Sequence, residues 1–268
     1  MKYYYEIKRS TAALGTFFEI KCLSEKQDFD KTHNLITAAF SQAKFLENKL
    51  SFHNKESDLS KINQLEINKE IIICDKLVIL LRISNYLNKV TDNIFNVISP
   101  HQPLIANDQF FTLKKNRIKI LQKLEIDLGG IAKGFIVDKT AKFLIRNGVY
   151  GGIVNGGGDI RIFGNYSTPI HIRDPFNFKN HLAIGSYSNQ AIASSSITLN
   201  SKERGGKSSI YNNTSSDIVH TTVIGKSCTI CDALTKISLI NPDIATKLLK
   251  NGYSGILIDK NGQVFKTI

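Results

Sequence analysis

The stretch from Glu125 to Gly164 constrains the fold of this chain more than any other part of the sequence. It reads EIDLGGIAKGFIVDKTAKFLIRNGVYGGIVNGGGDIRIFG, and the apolar residues between its two glycine clusters follow a helical spacing. Gly129 and Gly130 predict a sharp turn after a short strand, and the helix is expected to begin near Ile131. Because Gly148 predicts the end of that helix, the expected order is strand, glycine turn, helix, glycine turn and buried strand.

A second glycine cluster, Gly156 to Gly158, lies between the polar residues Asn155 and Asp159. Glycines offer no side chains and tolerate positive φ, so that the backbone amides of such a turn could face an anionic ligand. The alternative is that these glycines only allow tight turns and close packing. Two such clusters around one helix favour the ligand site.

Lys133 lies in the first turn of the predicted helix, where a positive charge opposes the helix dipole. The unsatisfied backbone amides at this end of a helix favour a negatively charged ligand. An anion between the lysine and the helix end would remove the conflict. The unfavourable placement of Lys133 therefore predicts a phosphate site.

The motif DLGGIAKGFIVDKTAKFL, followed by GVYGGIVNGGGDIRIFG, resembles the central signature of the ApbE family, the FAD:protein FMN transferases. Further segments resemble family motifs in the same order along the chain, namely LGTFFEI (14–20), LSFHNKESDLSKIN (50–63), TDNIFNVISP (91–100) and CTICDALTKI (228–237). The resemblance covers nearly the whole chain. It implies a single α+β domain, residues 1–268, of ApbE-like (T-fold-like) form, with antiparallel sheets, covering helices and a glycine-lined nucleotide cleft.

The resemblance also implies a ligand and the residues that bind it. FAD would be the substrate, with Mg²⁺ held by Asp232, Thr235 and the backbone carbonyl of Gly130. Asp232 and Lys133 would carry the catalytic roles, the lysine by holding the phosphates. For His53, an ordinary surface histidine is the alternative. The implied FAD-binding residues are Leu14, Gly15, Thr16, Ser51, Phe52, His53, Asp92, Gly129, Lys133, Asn155, Gly157, Gly158, Asp159 and Ile210.

The reaction implied by the resemblance is protein flavinylation. A Ser or Thr hydroxyl of an acceptor flavoprotein attacks the FMN phosphorus of FAD, AMP leaves, and FMN stays joined through a phosphoester. This chemistry depends mainly on positioning and on neutralising phosphate charge. The implied partners are therefore FAD and an acceptor flavoprotein.

Several positions depart from the family pattern. In KSSIYNNTSS, residues 207–216, Ser209 stands where the family has a histidine, and Asn212 and Asn213 stand where it has Asp-Pro. Lys236 replaces the threonine expected four residues after Asp232. These departures motivate a second hypothesis, a catalytically weakened FAD-binding protein of ApbE type.

Lys236 leaves three interpretations of the segment around Asp232. An ammonium has no lone pair and cannot bind a metal, but Thr235 shares a helix face with Asp232, so that the two could still form a metal site. Alternatively, Lys236 replaces the cation and pairs directly with a pyrophosphate. The third interpretation is that Asp232 only caps the N-terminus of an ordinary helix.

The formal net charge of +12 over 268 residues would suit nucleic acid, a membrane surface or anionic nucleotides. The lysines are spread evenly, which is typical of a solvated basic surface, and no RNA-binding or zinc-finger motif occurs. We therefore expect no nucleic-acid partner, although a nucleic-acid-associated module stays an alternative on charge alone. No apolar window reaches membrane-spanning length, and no membrane span is expected.

Charges interrupt every apolar run in the first twenty residues, MKYYYEIKRSTAALGTFFEI. This pattern lacks the apolar core of a signal peptide, so a cytoplasmic location is expected. Cys228 and Cys231 form a single C-x-x-C motif. Without a second pair or nearby histidines, it predicts reduced, half-buried thiols in preference to a zinc site.

The rest of the chain completes an α+β pattern. Apolar periodicity predicts amphipathic helices at 31–50 and 75–90, and a strand from Gly15 to Cys22 that pairs with the residues before it. Hairpins are expected near Lys119 and around residues 259–262. The segments PIHIRDP and HLAIGSYSNQAIASSSI predict successive strands.

Overall fold

The structure is a computed structural model that describes residues 3–98, 110–177, 179–197, 216–250 and 252–267. It contains the helices α1 (Phe29–Leu50), α2 (Asp58–Asn63), α3 (Asp75–Val90), α4 (Ala132–Arg146), α5 (Cys228–Ile240) and α6 (Pro242–Leu249). The strands are β1 (Tyr5–Ala13), β2 (Thr16–Ser24), β3 (Glu70–Ile72), β4 (Phe111–Lys114), β5 (Arg117–Ile120), β6 (Gly151–Gly156), β7 (Asp159–Gly164), β8 (Ser167–Arg173), β9 (His181–Ser188), β10 (Ala191–Ser196), β11 (Ile218–Gly225), β12 (Ser254–Asp259) and β13 (Val264–Thr267).

The chain divides into two compact units. The first unit comprises Met1–Lys44 and Lys133–Ile268, and the second comprises Phe45–Ala132. A single domain over residues 1–268 stays a prediction. No helix in the described ranges is both long and apolar enough to cross a membrane.

An eight-stranded sheet forms the first unit, in the order β1-β2-β6-β7-β10-β11-β12-β13. Every neighbouring pair in it is antiparallel. In β2, Phe18, Ile20 and Cys22 are buried while the residues between them are not, as a sheet with one covered face requires. The predicted strand at Gly15 to Cys22 and its pairing with the preceding residues are confirmed.

The two faces of this sheet are covered differently. Helix α5 lies against one face of β10 and β11, where Ser195 Oγ lies 2.8 Å from Thr235 Oγ1. On the opposite face, a cluster of buried isoleucines packs against Ile170, Ile184 and Tyr187 of the β8–β9 hairpin. The members of this cluster that lie on the eight-stranded sheet are Ile153, Ile162, Ile192, Ile224 and Ile256.

The second unit holds α2, α3 and a three-stranded sheet of order β3-β5-β4. Ser57 caps α2 by accepting a hydrogen bond from Ser60 N at 2.8 Å. The short strand expected before Gly129 is wrong, because Ile126 forms only an isolated bridge with Ile98. After this bridge, the Gly129 amide donates a hydrogen bond to Asp127 Oδ1 at 2.8 Å, and the chain forms a turn there.

Most predicted elements have the expected bounds. The helices at 31–50 and 75–90 correspond to α1 and α3, and Lys119 lies in β5, the second strand of the β4–β5 hairpin. The segment 259–262 joins β12 and β13 as a hairpin. Helix α4 begins at Ala132, one residue after the predicted start.

His220 on β11 is buried in a polar row on the face that carries the isoleucine cluster. Its Nδ1 hydrogen-bonds with Ser196 Oγ, and its Nε2 lies 3.0 Å from Thr222 Oγ1. Thr222 Oγ1 also lies 2.8 Å from Ser194 Oγ. Burial lowers the pKa of His220 to about 4, and the charge of Asp174 opposes this shift. His220 is therefore neutral at pH 7 in the folded protein.

The folded protein is expected to lose stability as the pH falls from 7 to 5. Because the pKa of His220 is about 4 when folded and 6.5 ordinarily, the unfolded chain binds this proton first. Protonation of His220 alone should lower the free energy of unfolding by about 2 kcal/mol over this interval. Urea titrations of the wild type and His220→Gln at both pH values measure the effect, which the variant should lack. The same pH dependence in both proteins would contradict it.

Candidate functional site

The turn from Asn155 to Asp159, between β6 and β7, lies beside the turn between β1 and β2. Gly157 has a φ of +67° and donates its amide to Phe17 O at 3.0 Å. A Cβ on Gly157 would lie 2.5 Å from Thr16 Cγ2, so no other residue fits there without a shift. The Gly158 amide donates to Asn155 Oδ1 at 2.9 Å. The structure thus brings Leu14–Thr16 and the glycine turn together.

Lys133 and Asp159 form an ion pair in which Lys133 Nζ lies 3.5 Å from Asp159 Oδ2. Asp159 is buried, and its Oδ2 has no hydrogen-bond partner among the described residues. Burial raises the pKa of Asp159 to about 7; the charge of Asp232 adds to the rise, whereas Lys133 and Lys236 oppose it. The anion that the sequence predicts beside Lys133 is therefore, in this structure, a carboxylate of the protein itself.

Asp232 is completely buried within α5, and both its carboxylate oxygens accept hydrogen bonds. Oδ2 accepts from the Gly134 amide at 3.1 Å, and Oδ1 accepts from Lys236 Nζ. Asp232 is the fifth residue of α5, and Ser227 occupies the N-cap position. The interpretation of Asp232 as an N-cap is therefore wrong.

Helices α4 and α5 approach so closely that only glycine fits at Gly134. A Cβ there would lie 2.3 Å from the carbonyl oxygen of Cys228 and 2.8 Å from Asp232 Cβ. This approach lets the backbone of α4 donate directly to the Asp232 carboxylate. The glycine spacing of the sequence thus serves helix packing as well as turns.

Asp138, which the sequence analysis does not identify, holds the N-terminus of α5. Its carboxylate accepts hydrogen bonds from Ser227 Oγ at 2.7 Å, Cys228 N at 3.0 Å and Thr229 N at 2.9 Å. An acidic residue at this position also complements the helix dipole. The sequence did contain one indication of this role. Asp138 follows Gly134 by four residues, so it lies on the helix face that contacts α5 through Gly134.

The C-x-x-C cysteines, Cys228 and Cys231, are free thiols. Both are fully buried, so the prediction that they are half-buried is wrong. Burial raises the pKa of each thiol well above its usual range, which keeps both protonated and poor as nucleophiles or metal ligands. Within the described ranges, no group of three or more His, Cys, Asp or Glu side chains is placed to hold a metal ion.

A divalent metal ion does not fit the residues around Asp232 as they are arranged. The Lys236 ammonium and the Gly134 amide occupy the two carboxylate oxygens. Thr235 Oγ1 donates to Asp232 O at 2.7 Å and lies 2.8 Å from Ser195 Oγ. A metal would have to displace an ammonium that repels it, since an ammonium contributes no lone pair.

Other predicted site residues belong to the second unit. Ser51, Phe52 and His53 follow α1, where Ser51 O accepts from Ser57 Oγ at 2.6 Å and the rings of Phe52 and His53 meet edge to face. Asp92 is exposed after α3 with a φ of +50°.

Gly129 and Gly130 lie in the turn before α4, and they too belong to the second unit. Ile210 and the departures at Ser209, Asn212 and Asn213 lie outside the described residues. The structure therefore groups the Leu14–Thr16 turn with Lys133, Asn155–Asp159 and Asp232 in the first unit.

The sequence matches one protein family over most of its length. The model of the ApbE family matches residues 14–257. The FAD:protein FMN transferase of Haemophilus influenzae (strain ATCC 51907 / DSM 11121 / KW20 / Rd) is 28% identical over 192 residues, which are 59% of this chain and 54% of that protein. The chain thus spans about half the length of this curated relative.

Solved structures match over nearly the whole chain. Flavin transferase ApbE from Vibrio cholerae has a TM-score of 0.78 at 18% identity, covering 98% of this chain and 96% of its own. The apo form of Pseudomonas stutzeri flavinyl transferase ApbE has a TM-score of 0.79 at 18% identity, and the match covers 98% of this chain and 94% of the Pseudomonas chain. The ApbE protein of Thermotoga maritima has a TM-score of 0.77 at 20% identity, and the match covers 99% of this chain and 97% of the Thermotoga chain. The predicted α+β fold with antiparallel sheets is confirmed.

Proposed function

The chain belongs to the ApbE family, and we propose that it is an FAD:protein FMN transferase that attaches FMN to a Ser or Thr of an acceptor flavoprotein. The observation that carries this proposal is the group formed by Lys133, Asp159, Asp232 and Lys236 beside the glycine turn. Two ammonium groups close together are suited to a pyrophosphate, because each can donate charged hydrogen bonds to its oxygens. FAD contains a pyrophosphate between FMN and AMP.

Each part of this group has a distinct task in the proposal. Lys133 is the residue that binds the phosphates of FAD, and its half-exposed side chain can exchange Asp159 for a ligand oxygen. The amides of Gly157 and Gly158 lie in the turn beside it. Asp232 orients the ammonium of Lys236 and ties α5 to α4 through the Gly134 amide. These residues position the substrate and neutralise its charge, which is the main requirement of phosphoryl transfer.

The proposed reaction exchanges one phosphorus–oxygen bond for another. The acceptor hydroxyl oxygen forms a bond to the FMN phosphorus, and the bond from that phosphorus to the bridging oxygen breaks. AMP leaves with the bridging oxygen, and the hydroxyl proton passes to the AMP phosphate or to water. No oxidant or reductant is required.

The acceptor flavoprotein comes from the sequence resemblance and stays a prediction. The cytoplasmic location, inferred from the missing apolar core of a signal peptide, stays a prediction as well. So do the FAD-binding roles of Leu14–Thr16, of residues 51–53 and of Asp92. The resemblance also implied Mg²⁺ at Asp232, Thr235 and Gly130, but the contacts of Asp232 do not fit a metal ion, and the proposed reaction does not depend on one.

A catalytically weakened FAD-binding protein is the second candidate. The observation that favours it is the hydrogen bond between Lys236 and Asp232, because it occupies the carboxylate with an ammonium of single charge. Binding of FAD could persist in such a site while the leaving phosphate is stabilised less. The two candidates therefore differ in turnover and agree on the ligand.

Incubation of the purified protein with FAD, Mg²⁺ and a candidate acceptor domain tests the proposal. We expect a fluorescent flavin band on the acceptor after denaturing electrophoresis, and equimolar AMP. The matched control is an acceptor whose target Ser or Thr is replaced by Ala, which should stay dark. Retention of FAD without a labelled acceptor or released AMP would support the weakened protein instead.

A further inference from the structure

We propose that Lys236 takes the place of a divalent metal ion, so that the site binds the pyrophosphate of FAD without Mg²⁺. This inference rests on the proposed function, because it concerns the same ligand at the same site. The supporting observation is that the residues around Asp232 do not fit a metal ion. The positive charge that a metal ion would supply then comes from the Lys236 ammonium.

The contacts of Asp232 show what a metal would meet. One carboxylate oxygen is bonded by the ammonium of Lys236 and the other by the Gly134 amide. Asp232 is fully buried in α5, and Lys236 follows it by one helical turn. This i, i+4 spacing holds the ammonium against the carboxylate through the helix itself. The pair is therefore part of the folded site and does not depend on a ligand.

The exposure of the four charged side chains decides which of them an incoming anion meets. The side chains of Lys133 and Lys236 are 37% and 10% exposed, whereas those of Asp159 and Asp232 are 2% and 0% exposed. The two lysine side chains are thus more exposed than the two aspartate side chains. An entering pyrophosphate would contact the lysines first. The buried carboxylates of Asp159 and Asp232 would keep the lysine side chains in position.

An ammonium can perform part of the work of a metal ion. It has three N–H donors, so it can bond a carboxylate and a phosphate oxygen at once. It supplies a single positive charge, whereas Mg²⁺ supplies two. Exchanging the metal for lysine should therefore preserve binding and make it independent of metal, with less stabilisation of the leaving phosphate.

Calorimetric titration of FAD into the wild-type protein, in excess EDTA and in excess Mg²⁺, tests the proposal directly. We expect dissociation constants that agree within about twofold. Mg²⁺-dependent tightening of tenfold or more would overturn the inference and leave the proposed function intact. Absence of FAD binding under both conditions would overturn the proposed function, and the inference with it.

The variant Lys236→Thr provides a readout that requires no FAD. With Mn²⁺ alone as the probe, paramagnetic resonance should detect binding to the variant at Asp232 and none at this site in the wild type. In EDTA the variant should bind FAD tenfold or more weakly than the wild type, with recovery in Mg²⁺. Equal Mn²⁺ binding by the two proteins would overturn the proposal.

The matched control is Lys142→Ala, which removes one positive charge from an exposed position on α4. It should leave both the FAD affinity and the absence of Mn²⁺ binding unchanged. Circular dichroism establishes that each variant is folded. If Lys236→Thr does not fold, the wild-type comparison in EDTA and Mg²⁺ still decides the question.

Discussion

Replacing Gly134 with Ala is expected to lower the free energy of unfolding by about 3 kcal/mol, the cost of overpacking a tight contact. At an exposed helix position the same change would stabilise the protein by about 1 kcal/mol, because alanine is the better helix former. Here the new Cβ would lie 2.3 Å from the Cys228 carbonyl oxygen and 2.8 Å from Asp232 Cβ. Helices α4 and α5 would have to separate. Urea unfolding followed by circular dichroism measures the loss.

The sign of this effect identifies its cause. Lys142→Ala on the same helix is exposed and should change the free energy of unfolding by less than about 0.5 kcal/mol. The separation of the helices should also lengthen the hydrogen bond from the Gly134 amide to Asp232, and so weaken FAD binding. A Gly134→Ala protein as stable as the wild type would show that the two helices do not need this contact.

Local patterns predicted most of the fold. The helices α1 and α3 follow from apolar periodicity, and strand β2 follows from the alternation between Gly15 and Cys22. These features depend on residues close together in the sequence. The strand expected at Ile126 fails for the opposite reason, because strand formation needs a continuous partner and Ile126 finds only Ile98.

The candidate site was predictable only in part. The helical spacing of Asp232 and Lys236 already places their side chains on one face, so their pairing could be anticipated. Lys133 has an anionic partner, but this partner is the carboxylate of Asp159, which no local sequence pattern connects to it. The phosphate site at Lys133 stays a prediction. Asp138 was missed because its partners at the start of α5 lie about ninety residues further along the chain. Contacts between residues so far apart in the sequence form only in the folded chain, so a local pattern does not predict them.

Lys133 is the residue of the proposed site whose loss should affect FAD most directly. Among the four charged groups it has the most exposed side chain, and it lies in the first turn of α4, where the helix dipole favours a negatively charged ligand. Its partner Asp159 is buried and has a pKa raised to about 7, chiefly by burial. Near neutral pH, Asp159 can therefore take up a proton when Lys133 turns to a phosphate.

Lys133→Ala should weaken FAD binding tenfold or more, because it removes a charged hydrogen-bond donor worth about 1.5 kcal/mol or more. FMN transfer, where the acceptor assay detects it, should fall by about a hundredfold or more, since the same charge stabilises the leaving phosphate. Calorimetry in EDTA and in Mg²⁺ measures the affinity. Lys142→Ala, which removes the same charge about two and a half turns further along α4, should bind FAD as the wild type does. An unchanged affinity in folded Lys133→Ala would remove Lys133 from the FAD site and place the pyrophosphate elsewhere on the protein.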